Sequence, residues 1–265
     1  MFLATTGILA RGSSGIDPDA QAFITAAAIT DPTQQAAINT LVTDLKGYSI
    51  WTKFQAIYPI VGGSASSHKY NLKDPRDLDV AFRLAFATGW THSATGMTPN
   101  GATWANTFFN GATQLITAPS HISSYLRNTQ TINNVPIGAS DAAFLLWQMN
   151  TINNSGFYYY HGSVASEVLT TITTEVGLFL GSTVSATSRK NYINGVLKTT
   201  TTTNISITYP AFNLYLGARN SVGTASTFST KQCAFASIGD GLTDTDAANF
   251  YTAVQAFQTS LSRQV

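Results

Sequence analysis

Charge is scarce in this chain: Asp, Glu, Lys and Arg make up 10% of its 265 residues and leave a net charge of +1. An ordinary soluble domain carries roughly 25%. There is no run of Lys or Arg, so the electrostatic footprint of a nucleic-acid binder is missing and no nucleic-acid partner is expected. Cysteine is limited to Cys233. That excludes disulfide frameworks and cysteine zinc sites, which need several sulfurs at set spacings. Its apolar alternation reads as a buried, inert thiol. No stretch approaches the ~20 apolar residues that span a bilayer, and the opening Met1 to Ala10 lacks the basic flank of a signal peptide. The sequons at Asn153 and Asn204 therefore carry little weight. The histidines, His68, His92, His121 and His161, are isolated, with no His-x-x-x-His pair and no Gly-x-Ser-x-Gly elbow. Glutamate is reduced to Glu167 and Glu175.

What is present is apolar and uncharged polar: 44% of residues are hydrophobic and 11% aromatic, with Thr, Ser, Asn and Gly prominent in the rest. Such a chain has ample material to offset its conformational entropy and fold. Its early part reads as helical. Asp17-Pro18 and Asp31-Pro32 each set a capping carboxylate before a proline at the first helical position. Ile38, Leu41, Val42 and Leu45 then share one face, and Gly47 is placed for a left-handed C-cap. A third helix is expected from Ser49, with Trp51, Phe54, Ile57 and Tyr58 as its buried stripe.

Beyond Val61 the period changes to two. Expected strands are Leu78–Phe86, Ser120–Arg127, Ala142–Met149, Gly156–Gly162, Glu175–Leu180, Tyr192–Lys198, Ile205–Thr208, Phe212–Gly217 and Lys231–Ile238. That number suits two packed antiparallel sheets. Asn194-Gly195 between apolar pairs predicts a hairpin turn, and the threonines at 199 to 203 extend one of its arms. Thr243 to Asp246 resembles a capping box, opening a C-terminal helix over 243–262 with Ala247, Phe250, Val254 and Phe257 on its apolar face. The organisation read from this is an arm over 1–15, a helical segment over 16–60, and a mainly β, two-sheet sandwich over 61–265.

Little of the chemistry points to catalysis. Glycoside hydrolysis needs two carboxylates flanking a bond, and Glu167 and Glu175 share a face only if the strand between them is unbroken. Asp77 and Asp79, and separately Asp240 near Asp244 and Asp246, are weak candidates for calcium without EF-hand spacing. No cofactor is otherwise expected. Phe157-Tyr158-Tyr159-Tyr160-His161 must send alternate rings to opposite faces of a strand, and Trp90, His92 and Trp104 sit beside Gly/Asn/Thr-rich loops of the kind used in recognition. Aromatics beside Asn and Thr suit a subunit interface first and a sugar second.

The Tyr192-Ile193-Asn194-Gly195-Val196 hairpin, the run Leu214 to Asn220, and the ending Ala234 to Asp244 resemble the concanavalin A-like, laminin-G-like sandwich, in its jelly-roll form, over about residues 61–265. Tyr58 to Gly63, Ser67 to Pro75, Gly89 to His92 and the closing Phe257 to Arg263 resemble a narrower group of bacteriophage virion structural and adhesin proteins. That resemblance implies a non-enzymatic virion component, a capsid decoration or spike or a tail-associated protein. Its implied partners are itself, as a trimer or higher homo-oligomer, and other virion proteins. A host-surface glycan bound by a lectin-like adhesin is the alternative, and a polysaccharide depolymerase the third. The apolar arm, with Phe2, Leu3, Ile8 and Leu9, is expected to dock on a neighbouring subunit.

Overall fold

The computed structural model describes residues 15–265 apart from 131, 153–154 and 164–166. The arm with Phe2, Leu3, Ile8 and Leu9 and the sequon at Asn153 lie outside the described residues. In chain order the first elements are α1 (Pro18–Ala26), α2 (Pro32–Gly47), β1 (Phe54–Tyr58), α3 (Ala65–His68), β2 (Ala85–Phe86), β3 (Thr91–Ser93), β4 (Gly96–Thr98) and β5 (Ala105–Asn110). Then come α4 (Gly111–Gln114), β6 (Ser120–Leu126), β7 (Asn134–Ser140), β8 (Leu145–Ile152), β9 (Gly156–Ser163), β10 (Val168–Thr171), β11 (Gly177–Ser185) and β12 (Ser188–Ile193). The last are β13 (Val196–Thr201), β14 (Asn213–Leu216), β15 (Arg219–Ser221), β16 (Thr224–Ser226), β17 (Cys233–Asp240) and α5 (Asp244–Ser260).

The strands form two sheets, as the alternation predicts. The first runs β13-β12-β11-β6-β17-β4-β3, with β1 also paired to β17; the second runs β10-β9-β8-β7-β14-β5-β2, with the β15-β16 hairpin attached to β7. Pairing is antiparallel except where β15 lies parallel to β7. Between the sheets sits one core, with Trp147, Met149, Phe157 and Tyr159 from the second sheet meeting Ile122, Phe179, Ala236 and Ile238 from the first. A second core covers the opposite face of the first sheet, where Tyr125, Leu178, Leu180, Tyr192 and Phe235 pack under α1, α2 and α5. The order of layers is therefore helices, first sheet, second sheet. No described helix covers the outer face of the second sheet with a packed core.

The helix signals produce the helices they predict. Asp17 accepts from Asp19 N and Asp31 from Gln34 N, each with proline at the helix start. Thr243 and Asp246 form the reciprocal capping box of α5, whose Phe250, Val254 and Phe257 are buried. Burying each such side chain contributes about 1.5–3 kcal/mol. The predicted hairpin turn is present, with Asn194 and Gly195 both left-handed at φ 51° and 72°, and the threonine run continues β13 as far as Thr201.

Four expectations are corrected. The segment after Ser49 is a short 3-10 turn over Trp51–Lys53 followed by strand β1, not a helix. Phe54 and Ile57 face the helical layer while Ala56 and Tyr58 face the second sheet. A run buried on both sides carries no periodicity that separates strand from helix. The sandwich thus takes a strand from before residue 61. Leu78–Phe86 is a strand only at its end, where β2 pairs with β5: Asp79–Ala81 is a 3-10 turn, Phe82 is left-handed, and Leu78 and Val80 are 48% and 73% exposed. Arg83 bridges Asp77 and Asp79 there, so the charges close a turn instead of lining a strand face. Ile205–Thr208 has no regular structure, and at the end of α2 it is Ser49, not Gly47, that turns left-handed.

Candidate functional site

The uncovered face of the second sheet is built by alternation. In β8, Trp147 and Met149 enter the core, so Gln148 and Asn150 point outward. In β9, Phe157 and Tyr159 enter the core and Tyr158 and Tyr160 point outward, while in β14 Leu214 and Leu216 leave Tyr215 outside. Strand register then aligns these side chains across the sheet. Tyr160 lies opposite Gln148, Gln148 opposite Gly138, Gly138 opposite Tyr215, and Tyr215 opposite Asn106. Five adjacent strands carry this row, about 19 Å across at the usual strand spacing.

Aromatic pairs flank it. Tyr158 and Tyr160 are stacked, with centroids 6.1 Å apart and planes 5° from parallel, and Trp104 stacks on Tyr215 at 5.8 Å and 21°. Between them lies a directional amide chain: Gln148 Nε2 donates to Asn150 Oδ1 at 2.7 Å, and Asn150 Nδ2 donates to Asn133 Oδ1 at 3.2 Å. Gln148 is 2% exposed, and its Oε1 has no hydrogen-bond partner among the described residues. A buried acceptor left unmade costs about 1–3 kcal/mol, which an enclosed water would recover. Beside it, Gly138 is buried under Gln148 and Val135, and a Cβ there would collide with the Cβ of Gln148.

The predicted aromatics separate. Tyr158, Tyr160 and Trp104 belong to this face. Tyr159 and His161 do not: both are fully buried, with Tyr159 Oη and His161 Nδ1 bonded to Thr183 Oγ1. Burial holds the His161 pKa down at about 3. Trp90 lies behind the face, half-buried, donating from Nε1 to the carbonyl of Trp104 at 3.0 Å and packing against Gly217. It props the Trp104 loop. His92 joins Phe86 and Trp90 in an aromatic group, and its Nδ1 is 2.9 Å from Nδ1 of buried His68.

The acidic candidates are committed elsewhere. Glu175 is fully buried in an ion pair with Lys231, and Glu167, exposed, accepts from Tyr160 Oη at the edge of the face. β10 ends at Thr171, so no continuous strand joins the two. Asp77 and Asp79 pair with Arg83, and Asp77 also with Lys69; Asp240 Oδ1 accepts from Gln55 Nε2 at 3.5 Å. Among the described residues no group of three or more His, Cys, Asp or Glu is placed to hold a metal ion.

Gln148, Asn150, Gly138, Tyr215 and Asn106 are the site residues that sequence reasoning missed. The Trp147-Gln148-Met149-Asn150 alternation was the signal for the first two, because apolar residues claim the core and send the amides outward. Gly138 was hidden, since Pro136 and Gly138 argue against a central strand.

No family model matches the sequence, and no curated protein matches it. Solved structures do resemble the fold. A mutant of Trypanosoma rangeli sialidase displaying trans-sialidase activity aligns at 10% identity over 83% of this chain and 39% of that one, with a TM-score of 0.56. Trypanosoma rangeli sialidase in complex with 2,3-difluorosialic acid aligns at 11% identity over 82% and 38%, with a TM-score of 0.51. The binding domain of botulinum neurotoxin DC in complex with rat synaptotagmin II aligns more loosely, at 13% identity over 65% and 42%, with a TM-score of 0.42. The chain spans about two fifths of the length of the two sialidase structures. What the two sialidase likenesses establish is a shared β-sandwich fold.

Proposed function

We propose that this chain is a lectin-like binding module that lays a glycan across the outer face of the second sheet. The observation that carries the reading is the two half-exposed stacked aromatic pairs, Tyr158 with Tyr160 and Trp104 with Tyr215, on either side of a line of amides. Sugars present hydroxyls at their edges and C–H faces above and below, so a sheet of amides flanked by rings meets both. A subunit interface, the first expectation for these aromatics, would gain from an apolar centre; the centre here is a line of amides. Binding without hydrolysis is proposed because Glu175 is sealed inside an ion pair and leaves Glu167 as a lone carboxylate at the edge.

In the phage setting that the sequence resemblance implies, such a face would serve attachment to a host surface, and a homo-oligomer would multiply weak single contacts by avidity. Antibody labelling of intact particles, read by electron microscopy, tests that placement. The binding face itself is tested on a glycan array. Wild-type protein should give a specific signal that Tyr160→Ala and Tyr215→Ala remove while both variants retain their melting temperatures. A signal that survives both substitutions, or none from the wild type, overturns the reading.

A further inference from the structure

We infer that the glycan taken by this face carries a carboxylate, which Arg219 holds. The inference rests on the glycan-binding reading and adds the chemical class of the ligand. Arg219 opens β15, and the parallel register sets it opposite Gly138. Paired residues share a side of the sheet, so Arg219 joins the side occupied by Gln148 and Tyr215.

Its charge is uncompensated. Arg219 Nε has one weak contact, 3.4 Å from Ser226 Oγ, and its two Nη groups donate to nothing among the described residues. Among the described residues, Lys46, Lys53, Lys69, Arg76, Arg83, Lys190 and Lys231 have carboxylate partners, and Arg263 donates to carbonyls and an amide. Half-burial alone pulls the Arg219 guanidinium below its ordinary pKa, with no nearby acid acting against it. A half-buried guanidinium with both Nη groups unused is suited to bidentate contact with a carboxylate.

The same row gives the ligand a direction. Glu167 stands beyond Tyr160 at the opposite end, three strands from Gly138 and about 14 Å away at the usual strand spacing. An acidic sugar is attracted to the Arg219 end and repelled from the Glu167 end. Seated there, its carboxylate meets Arg219 and its apolar face lies toward the Tyr215 and Trp104 rings.

Carboxylated sugars come from two sources, nonulosonic acids such as sialic acid and hexuronic acids, and the test separates them. Equilibrium binding is measured for a sialic-acid-terminated trisaccharide and for an oligogalacturonate, each against its carboxyl-reduced counterpart, with wild type, Arg219→Gln and Arg219→Lys. Wild type should prefer one acid over its reduced form by about tenfold or more, as expected for a charge-assisted hydrogen bond, and the preference should shrink as salt rises. Arg219→Gln should erase the preference, and Arg219→Lys should keep part of it. Thermal melts establish that the variants are folded. Equal wild-type affinity for acid and reduced forms, or a preference intact in Arg219→Gln, overturns the inference and leaves the glycan reading standing. Absence of binding to acidic and neutral glycans alike overturns both.

Discussion

Lys231 Nζ lies 2.8 Å from Glu175 Oε2 with both side chains entirely withdrawn from solvent. Two further bonds frame the pair: Glu175 Oε2 accepts from Gln130 N at 2.8 Å, and Lys231 donates to Thr151 Oγ1 at 2.7 Å. Glu175 precedes β11 and Lys231 precedes β17, in the first sheet, whereas Thr151 is in β8 of the second. The cluster therefore ties both sheets together at one end of the sandwich. Burial brings the Lys231 pKa down to about 8, against the opposing pull of Glu175. Removing either partner leaves a buried charge without its counterion. Glu175→Gln and Lys231→Met should each cost about 3–5 kcal/mol, and the double change Glu175→Leu with Lys231→Met should recover most of that loss. Urea unfolding of the four proteins checks this, and a double variant as unstable as the singles would refute it.

Three imidazoles are held neutral by burial. His68 and His161 are brought to about 3 and His121 to about 4, from an ordinary value of 6.5. Desolvation is the leading cause in each; at His68 the neighbouring His92 and Arg263 add repulsion. Below pH 6.5 the unfolded chain binds protons that the folded chain refuses, so stability falls as pH falls. The stability these groups contribute is present above the unfolded value and is lost from about 6.5 downward toward their folded values. The carboxylates with lowered pKa, Asp17, Asp74, Asp77, Asp244 and Asp246, act in a separate window below their ordinary 3.8. Urea midpoints should be level from pH 8 to 7 and decline by about pH 5, before carboxylate titration begins. A level midpoint down to pH 4.5 would count against buried neutral histidines.

Arg263 joins three distant parts of the chain. Its guanidinium donates to the carbonyls of Pro59 and Ile60, to Ala234 O, and to Gln258 Oε1, at 2.6 to 3.0 Å. The side chain is fully buried, and burial leads the fall of its pKa to about 9. A lysine cannot reach four acceptors with this fork geometry. Arg263→Lys should lower stability by about 2 kcal/mol and Arg263→Leu by more, since several buried acceptors would lose their donors. Differential scanning calorimetry measures both; a melting temperature unchanged by Arg263→Leu would refute the latch.

The sequence disclosed the elements that depend on local chemistry. Asp-Pro caps, the Thr243 box and the Asn194-Gly195 turn each need only a few adjacent residues, and all are present. The alternation of β8 and β9 disclosed which residues face outward, but not that the same side of β14 would line up with them, because register between distant strands is set by the whole sandwich. β1 was illegible for a related reason: packing on both faces erased its period. Tyr159 and His161 show the limit within a single strand. Alternation separates them from Tyr158 and Tyr160, yet the choice of buried pair depends on the core that the other sheet supplies. The pairing of Glu175 with Lys231 and the register of Arg219 with Gly138 are long-range facts with no local signature.

Gly138 couples stability to binding, whereas Tyr160 separates them. An added Cβ would overlap the Cβ of Gln148 and approach its Cα and Val135 Cγ1. The first two atoms lie at the root of the side chain and on the backbone, so no rotamer change relieves the clash. Gly138→Ala should therefore cost about 1–3 kcal/mol as overpacking, and by displacing Gln148 it should also weaken glycan binding. Tyr160 is half-buried on the open face, and its Oη contacts exposed Glu167. Tyr160→Ala should change stability by about 1 kcal/mol at most while removing one of the stacked rings that holds a sugar. A variant pair in which Gly138→Ala loses stability and binding together, and Tyr160→Ala loses binding alone, would mark the outer sheet face as the place where ligand sits. If Tyr160→Ala binds as wild type does, the stacked pair is only a packing feature, and the ligand must lie elsewhere.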